Sequence, residues 1–293
     1  MSTLAQLAID EGMSYVIQLR DGSFIIIDGG TKTDNNENAL WNYLDDNKIG
    51  ERPVIACWMI THPDPDHIAL ANSFIVEYAS KIQIESFAYT FPKSTDVRVS
   101  EQNGLAIHSE NWATAMACFP DATVYDLKSG DKLTFEDVVV DVLVDSSVNT
   151  TTPKTDIDMR NDRSAAWKMT FTQGTADVSD DKTFMVVGDC MDDDTASRTA
   201  ARLTYLVNTY GDELKSDVLQ VAHHGVAGGS ATFYNTVAPS ISLFSSMEAK
   251  INGENSTGTV WKNKDYNLAL AETTIYYMDN IVVLNMSDLS VIS

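Results

Sequence analysis

Cysteine is scarce in this chain. Only Cys57, Cys118 and Cys190 occur in 293 residues, an odd number without paired spacing. That excludes a disulfide-built scaffold and fits a reducing compartment, so a cytoplasmic location is expected. No apolar run approaches the ~20 residues of a membrane-spanning helix. The opening Met1-Ser2-Thr3-Leu4-Ala5 has no basic segment leading into a long apolar stretch, which predicts neither a signal peptide nor a membrane partner. Positive charge is also in short supply: 20 Lys and Arg stand against 42 Asp and Glu, a formal net charge of −22. Nucleic-acid affinity rests on neutralising phosphates, and no Lys/Arg cluster is present to do so, which disfavours a polynucleotide partner. No linker, repeat or low-complexity tract divides the chain, so residues 1–293 are expected to form one domain.

What is present is a globular composition, 44% hydrophobic and 21% charged, with length enough for a large core. Tyr15 to Leu19 and Phe24 to Ile27, split by Asp21-Gly22, read as a hairpin. Val54 to Ile60 reads as a buried strand, Lys81 to Tyr89 as another, and Glu101 to Phe119 as a helix. Thr123 to Leu127 and Val138 to Val144 read as strands around a turn at Ser129-Gly130-Asp131. Ala165 to Phe171, Thr183 to Val187, Val218 to Val221, Ile241 to Phe244, Thr273 to Tyr277 and Ile281 to Leu284 read as further strands. Ala196, Ala200, Leu203, Val207 and Tyr210 predict one face of a helix. Strands alternate with helices, but hairpins interrupt the alternation. That predicts α/β layers with mixed sheets rather than one doubly wound parallel sheet.

The chemistry concentrates in Thr61-His62-Pro63-Asp64-Pro65-Asp66-His67, a short loop between a buried strand and a helix. Imidazole nitrogen and carboxylate oxygen are ligands for zinc, manganese or iron. In extended backbone His62 and Asp64 share a face, while Asp66 and His67 sit where the chain turns into the helix, so one loop can serve two adjacent metals. The prolines stiffen it. The alternative is an acidic helix start with two surface histidines. Other chemically capable residues also end strands: Asp28, Asp189 and His223. Neighbouring strand ends converge on one edge of a sheet, where open α/β folds place their sites. Cys190 follows Asp189 and is expected to be a small buried residue at a strand end.

These pieces together resemble the metallo-β-lactamase superfamily, which carries a His-x-His-x-Asp-His loop after a strand, a later Gly-Asp, and a still later His. Here they stand as His62 to His67, Gly188-Asp189 and His223-His224-Gly225, with Asp28-Gly29-Gly30 matching an early strand end. The resemblance implies a four-layer αββα sandwich, two mixed sheets with helices on the outer faces, and a dinuclear metal site on one edge. Within the superfamily the chain looks most similar to the hydrolase domain of ComEC-type competence proteins. It shares with them aspartate in place of the second histidine, the Asn161-Asp162-Arg163-Ser164 stretch and the His-His-Gly.

By the family pattern, His62 and Asp64 would bind one metal and Asp66 and His67 the other. Asp189 would bridge them, and His223 would complete the second. Asp66 and His224 are the expected catalytic residues, His224 standing behind His223. The family's further histidine before the Gly-Asp strand is missing; His108 lies in an expected helix, and Asn161 or Asp162 falls near the vacant position. Oxygen-rich ligation shifts the preference from zinc toward manganese. The expected activity is hydrolysis of a small phosphoester or other ester by a metal-bound hydroxide. Lys154, Arg160 and Arg163 are candidates for neutralising a substrate's remaining charge. The rival expectations are a binding protein with an incomplete metal site and, against the charge, a ComEC-like nuclease.

Overall fold

The structure is a computed structural model. It describes residues 1–153, 160–175, 177–194, 198–226, 228–252, 262–270 and 272–292. In chain order the elements are β1 (Thr3–Gln6), β2 (Ser14–Gln18), β3 (Phe24–Asp28), α1 (Asp34–Asn47), β4 (Val54–Ile60), α2 (Pro65–Glu77), β5 (Gln83–Ile84) and β6 (Ser86–Tyr89). Next come α3 (Val99–Met116), β7 (Thr123–Asp126), β8 (Lys132–Phe135), β9 (Val138–Val144), β10 (Thr151–Pro153), β11 (Ala166–Phe171), β12 (Lys182–Val186), β13 (Asp192–Asp194) and β14 (Arg198–Ala201). The chain ends with α4 (Arg202–Tyr210), β15 (Val218–Gln220), α5 (Ala231–Val237), β16 (Ile241–Phe244), α6 (Glu248–Asn252), α7 (Lys262–Leu268), β17 (Thr274–Tyr277) and β18 (Val282–Asn285).

One large sheet runs β18-β1-β2-β3-β4-β6-β7, with β5 also paired to β4; the other large sheet runs β17-β16-β15-β12-β11-β9-β8, and β10-β14-β13 form a small third sheet. Both large sheets mix parallel and antiparallel pairs. Side-chain alternation along each strand builds the layers. In β3, Ile25 and Ile27 face the second sheet and pack with Trp167, Phe184 and Val218, while Phe24 and Ile26 face Leu40, Leu44 and Trp112 on the outer helices. The second sheet does the same in reverse: Met185 and Leu219 face Leu203, Leu206 and Phe233 of α4 and α5. The result is the αββα sandwich, with apolar cores between the sheets and under each helical layer.

Some local expectations change. Thr123 to Leu127 and Val138 to Val144 do not pair with each other; β7 edges the first sheet, and β9 pairs with β8 and β11 in the second. The turn near Gly130 is therefore a crossing between sheets. Residues 81–89 split into β5 and β6 because both strands pair with β4 in turn. The helix expected to include Ala200 begins only at Arg202, since residues 198–201 pair with β10 and β13; Ala196 lies outside the described residues. Among the described residues no helix is long and apolar enough to cross a membrane.

Candidate metal centre

β3 lies parallel to β4, and β12 parallel to β15, so all four C-terminal ends meet at one edge of the sandwich. Gln220 sews two of them together: its Oε1 accepts from Val187 N at 2.8 Å and its Nε2 donates to Gly188 O at 3.1 Å. Across the gap, Ala165 N donates to Thr61 O at 2.9 Å. Gly188 (φ 51°) is pressed against Thr61, where a Cβ would come within 2.9 Å of Thr61 Cβ. Only glycine both adopts that backbone easily and permits the approach.

The surface-histidine alternative does not hold. His62 and His67 are both fully buried, and the Asp64 carboxylate makes no capping bond to α2. Pro65 opens that helix instead, where a missing N–H is harmless. Asp28 anchors the loop. Its Oδ1 accepts from Thr61 N at 2.7 Å, and its Oδ2 accepts from Thr61 Oγ1 at 2.7 Å and lies 2.6 Å from His67 Nδ1. With two donors already on the carboxylate, the shared proton belongs on Nδ1, and His67 turns Nε2 toward the site. A carboxylate behind a histidine in this way sets tautomer and orientation for metal binding.

The two oxygens of Asp189 face different groups. Oδ1 lies 3.1 Å from His67 Nε2 and 3.4 Å from His224 Nε2, and His224 Nε2 is also 3.2 Å from Asp66 Oδ2. Oδ2 lies 3.7 Å from His62 Nε2, 3.6 Å from His223 Nε2 and 3.1 Å from Asn161 Nδ2. One ligand atom from each of Asp66, His67, Asp189 and His224 falls within 4.8 Å of all the others. His224, expected behind His223, thus stands in this compact group, and His223 stands on the other side of Asp189. Asp64 lies outside the compact group: its Oδ1 is 2.8 Å from Arg160 Nε, and its Oδ2 is 3.9 Å from His62 Nε2.

The electrostatics suit a cation. Burial works against charge on Asp189, but His224, His67 and His223 hold its carboxyl well below the usual range. Burial opposes charge on His224 too, yet Asp189 and Asp66 push it up to about 9. Asp189 and Asp28 likewise raise His67, against its burial. Burial pulls His62 well down, so that imidazole is neutral, and its Nε2 is buried with no hydrogen-bond partner. A buried imidazole nitrogen with no hydrogen-bond partner, set between carboxylates, is what a metal would satisfy, and the nitrogen and oxygen donors around Asp189 fit divalent cations. Burial raises Asp64 to about 7 against the pull of the Arg160 guanidinium.

Protons on His224 and His67 stand where a cation would bind, which sets a pH dependence. A group raised in the metal-free fold stabilises that fold below its unfolded value of ~6.5, an effect lost as pH passes the raised value. For His224 that window runs up to about 9. Cation binding at neutral pH is therefore expected to release at least one proton, and affinity to climb from acid to about pH 9. Calorimetric titration in buffers of differing ionisation enthalpy counts the proton. Uptake without release, or full occupancy well below pH ~6.5, contradicts histidine ligation.

The expected cationic contacts to a substrate are revised. Arg160 is committed to Asp64 and to Glu101, whose Oε2 is 3.7 Å from its Nε. Arg163 is buried and donates to the carbonyls of Ser146 and Ser147. Lys154 lies outside the described residues. His108 is in α3 and outside the compact group. Cys190 is buried, its thiol pushed up to about 12 by burial. Sequence reasoning missed Arg202, which is fully buried and donates to the carbonyls of Ser164, Asp145 and Val148. It steadies the segment whose Ser164 Oγ accepts from Asp189 N. No local pattern marks such a residue, since its partners are backbone atoms from distant loops.

The family model described as Metallo-beta-lactamase superfamily matches residues 9–160. A mutant of the CmlA beta-hydroxylase is similar in structure, with TM-score 0.53 and 10% identity over 97% of this chain and 54% of that chain. A second CmlA structure, described as a diiron beta-hydroxylase from Streptomyces venezuelae, gives 0.48 and 11% over 83% and 44%. YhfI from Bacillus subtilis, a metallo-beta-lactamase fold protein, gives 0.51 and 10% over 97% and 99%. The chain thus spans about half the length of the CmlA chains and nearly all of YhfI. At these identities the likeness is one of fold. A search of the curated proteins finds no significant match.

Proposed function

The chain belongs to the metallo-β-lactamase superfamily, and from that premise we propose that it is a metal-dependent hydrolase of small phosphoesters or other compact esters. The carrying observation is Asp189, whose two oxygens face separate sets of imidazole nitrogens. Bound divalent cations, zinc or manganese, would supply a water acidified to near neutral pH and positive charge for the attacked group. The chain's own residues do the rest. Asp66, His67, Asp189 and His224 would hold one cation. Asp28 fixes the His67 tautomer. Asp66 is partly exposed and so opens the compact group to solvent, while His62 and His67 close it from beneath. On this reading Asp66 and His224 act as ligands rather than as a separate acid and base.

The substrate follows from charge. At −22 the surface repels an extended polyanion at long range, whereas a small ester feels that field weakly. Near the cations the sign reverses for a bound phosphate. The chain also looks similar to ComEC-type hydrolase domains in His62 to His67, Asn161 to Ser164 and His223-His224-Gly225. Only the site pattern, not a DNA substrate, is carried over.

Turnover of bis-p-nitrophenyl phosphate is expected with added manganese or zinc, with much weaker action on duplex DNA at moderate salt. Efficient DNA cleavage without small-ester activity would reverse this ranking. Asp64, drawn to Arg160, favours a second reading: a protein that keeps the fold with an incomplete metal site. Elemental analysis separates the two. About two equivalents of metal per chain support the hydrolase, and none after supplementation supports the binder.

A further inference from the structure

His223 and His224 are neighbours in sequence, yet both rings reach Asp189, one at each oxygen. Extended neighbours would point to opposite faces. Here both residues adopt left-handed backbone, φ 49° and ψ 53° for His223 and φ 56° and ψ 5° for His224. Such conformations are disfavoured for a residue with a side chain and persist where the surroundings impose them. The turn sets the two ring centroids 6.0 Å apart with their planes 56° from one another. Gly225 follows at φ 84°, and a Cβ there would lie 2.2 Å from the Phe244 ring, so the turn is wedged from behind.

We infer that this turn divides the two histidines between two cations, His223 supplying the nitrogen that the sequence lacks in the first site. The inference rests on the hydrolase reading of the same edge. The first site is then His62 Nε2, His223 Nε2 and Asp189 Oδ2, the two nitrogens lying 3.7 and 3.6 Å from that oxygen. Asn161 stands beside it, its Nδ2 3.1 Å from Asp189 Oδ2 and 3.3 Å from His223 Nε2. The same buried amide turned over presents Oδ1, a hard oxygen donor suited to manganese. Asp64 is held aside by Arg160. The second site keeps the compact group around Asp189 Oδ1. A looser first site and a compact second site fill in order, the second ahead of the first.

The test is a cobalt(II) titration of the full chain, followed by d–d absorption and by calorimetry, with no substrate present. Two binding events of unequal affinity are expected. His223→Asn keeps a residue at ease at positive φ and should weaken only the looser event, by about 100-fold or more, a lost ligand exceeding the ~10–100-fold of an outer partner. His224→Asn should weaken the tighter event instead. Far-UV circular dichroism establishes that each variant is folded, and His223→Gly, free at any φ, replaces the asparagine variant if it is not. Two events unchanged in either folded His223 variant, or loss of the tighter one, overturns the inference while leaving the hydrolase reading standing. An unmodified chain that binds no metal overturns both.

Discussion

Replacing Asp189 by alanine is expected to abolish binding of both cations together. Its Oδ1 faces His67 and His224 at 3.1 and 3.4 Å, and its Oδ2 faces His62 and His223 at 3.7 and 3.6 Å. No other described carboxylate lies within 4.0 Å of all four imidazoles. On the proposed two-cation reading, losing it would remove a ligand from each site and also the charge that offsets the repulsion of two neighbouring cations. The expected loss exceeds the ~10–100-fold penalty known for outer partners of metal ligands, at both sites. In the metal-free protein the same change takes away the main charge that raises His224 and His67, so both should titrate lower. Elemental analysis after metal loading, with imidazole titration by NMR, checks the two consequences separately. Loss of a single equivalent would assign Asp189 to one site only. Two equivalents at unchanged affinity would remove it from the centre altogether.

Asp28→Asn is expected to damage the centre without touching a cation. The carboxylate takes three donors, from Thr61 N, Thr61 Oγ1 and His67 Nδ1. An amide of the same shape has one accepting oxygen and places an N–H₂ against one of those donors. If that N–H₂ meets His67 Nδ1, the ring must accept there and carry its proton on Nε2, the atom that faces Asp189. The tighter cation should then bind about 10–100-fold more weakly. Asp28 is fully buried, so the unmet donor costs a further ~1–3 kcal/mol of folding stability. Thermal denaturation and cation titration together read both effects. Wild-type affinity in a stably folded Asp28→Asn protein would mean that His67 does not depend on this tautomer.

Much of this molecule is set by patterns that a sequence carries locally. The continuous apolar runs Phe24 to Ile27 and Val54 to Ile60 mark strands covered on both faces. Burial on both sides is what a layered sandwich requires. The loop His62 to His67 is similarly legible, because four donors in six residues are rare and Pro65 marks where the helix starts. Charge and cysteine content bound the chemistry before any coordinate is known.

Other features needed the tertiary structure, since they depend on residues far apart in the chain. That β7 and β9 belong to different sheets is decided by the packing of Val138, Val140 and Val142 against the first sheet, which no local pattern encodes. Asp28 reads as a strand end, but its role behind His67 arises only because parallel β3 and β4 bring residues 39 positions apart to 2.6 Å. Arg160 reads as a free loop cation until folding places it against Asp64, where its guanidinium offsets part of what burial costs that carboxylate. Order along the chain could not show how His223 and His224 sit about Asp189. Two left-handed residues in a row, a backbone state that side chains disfavour, place one ring at each oxygen of that carboxylate.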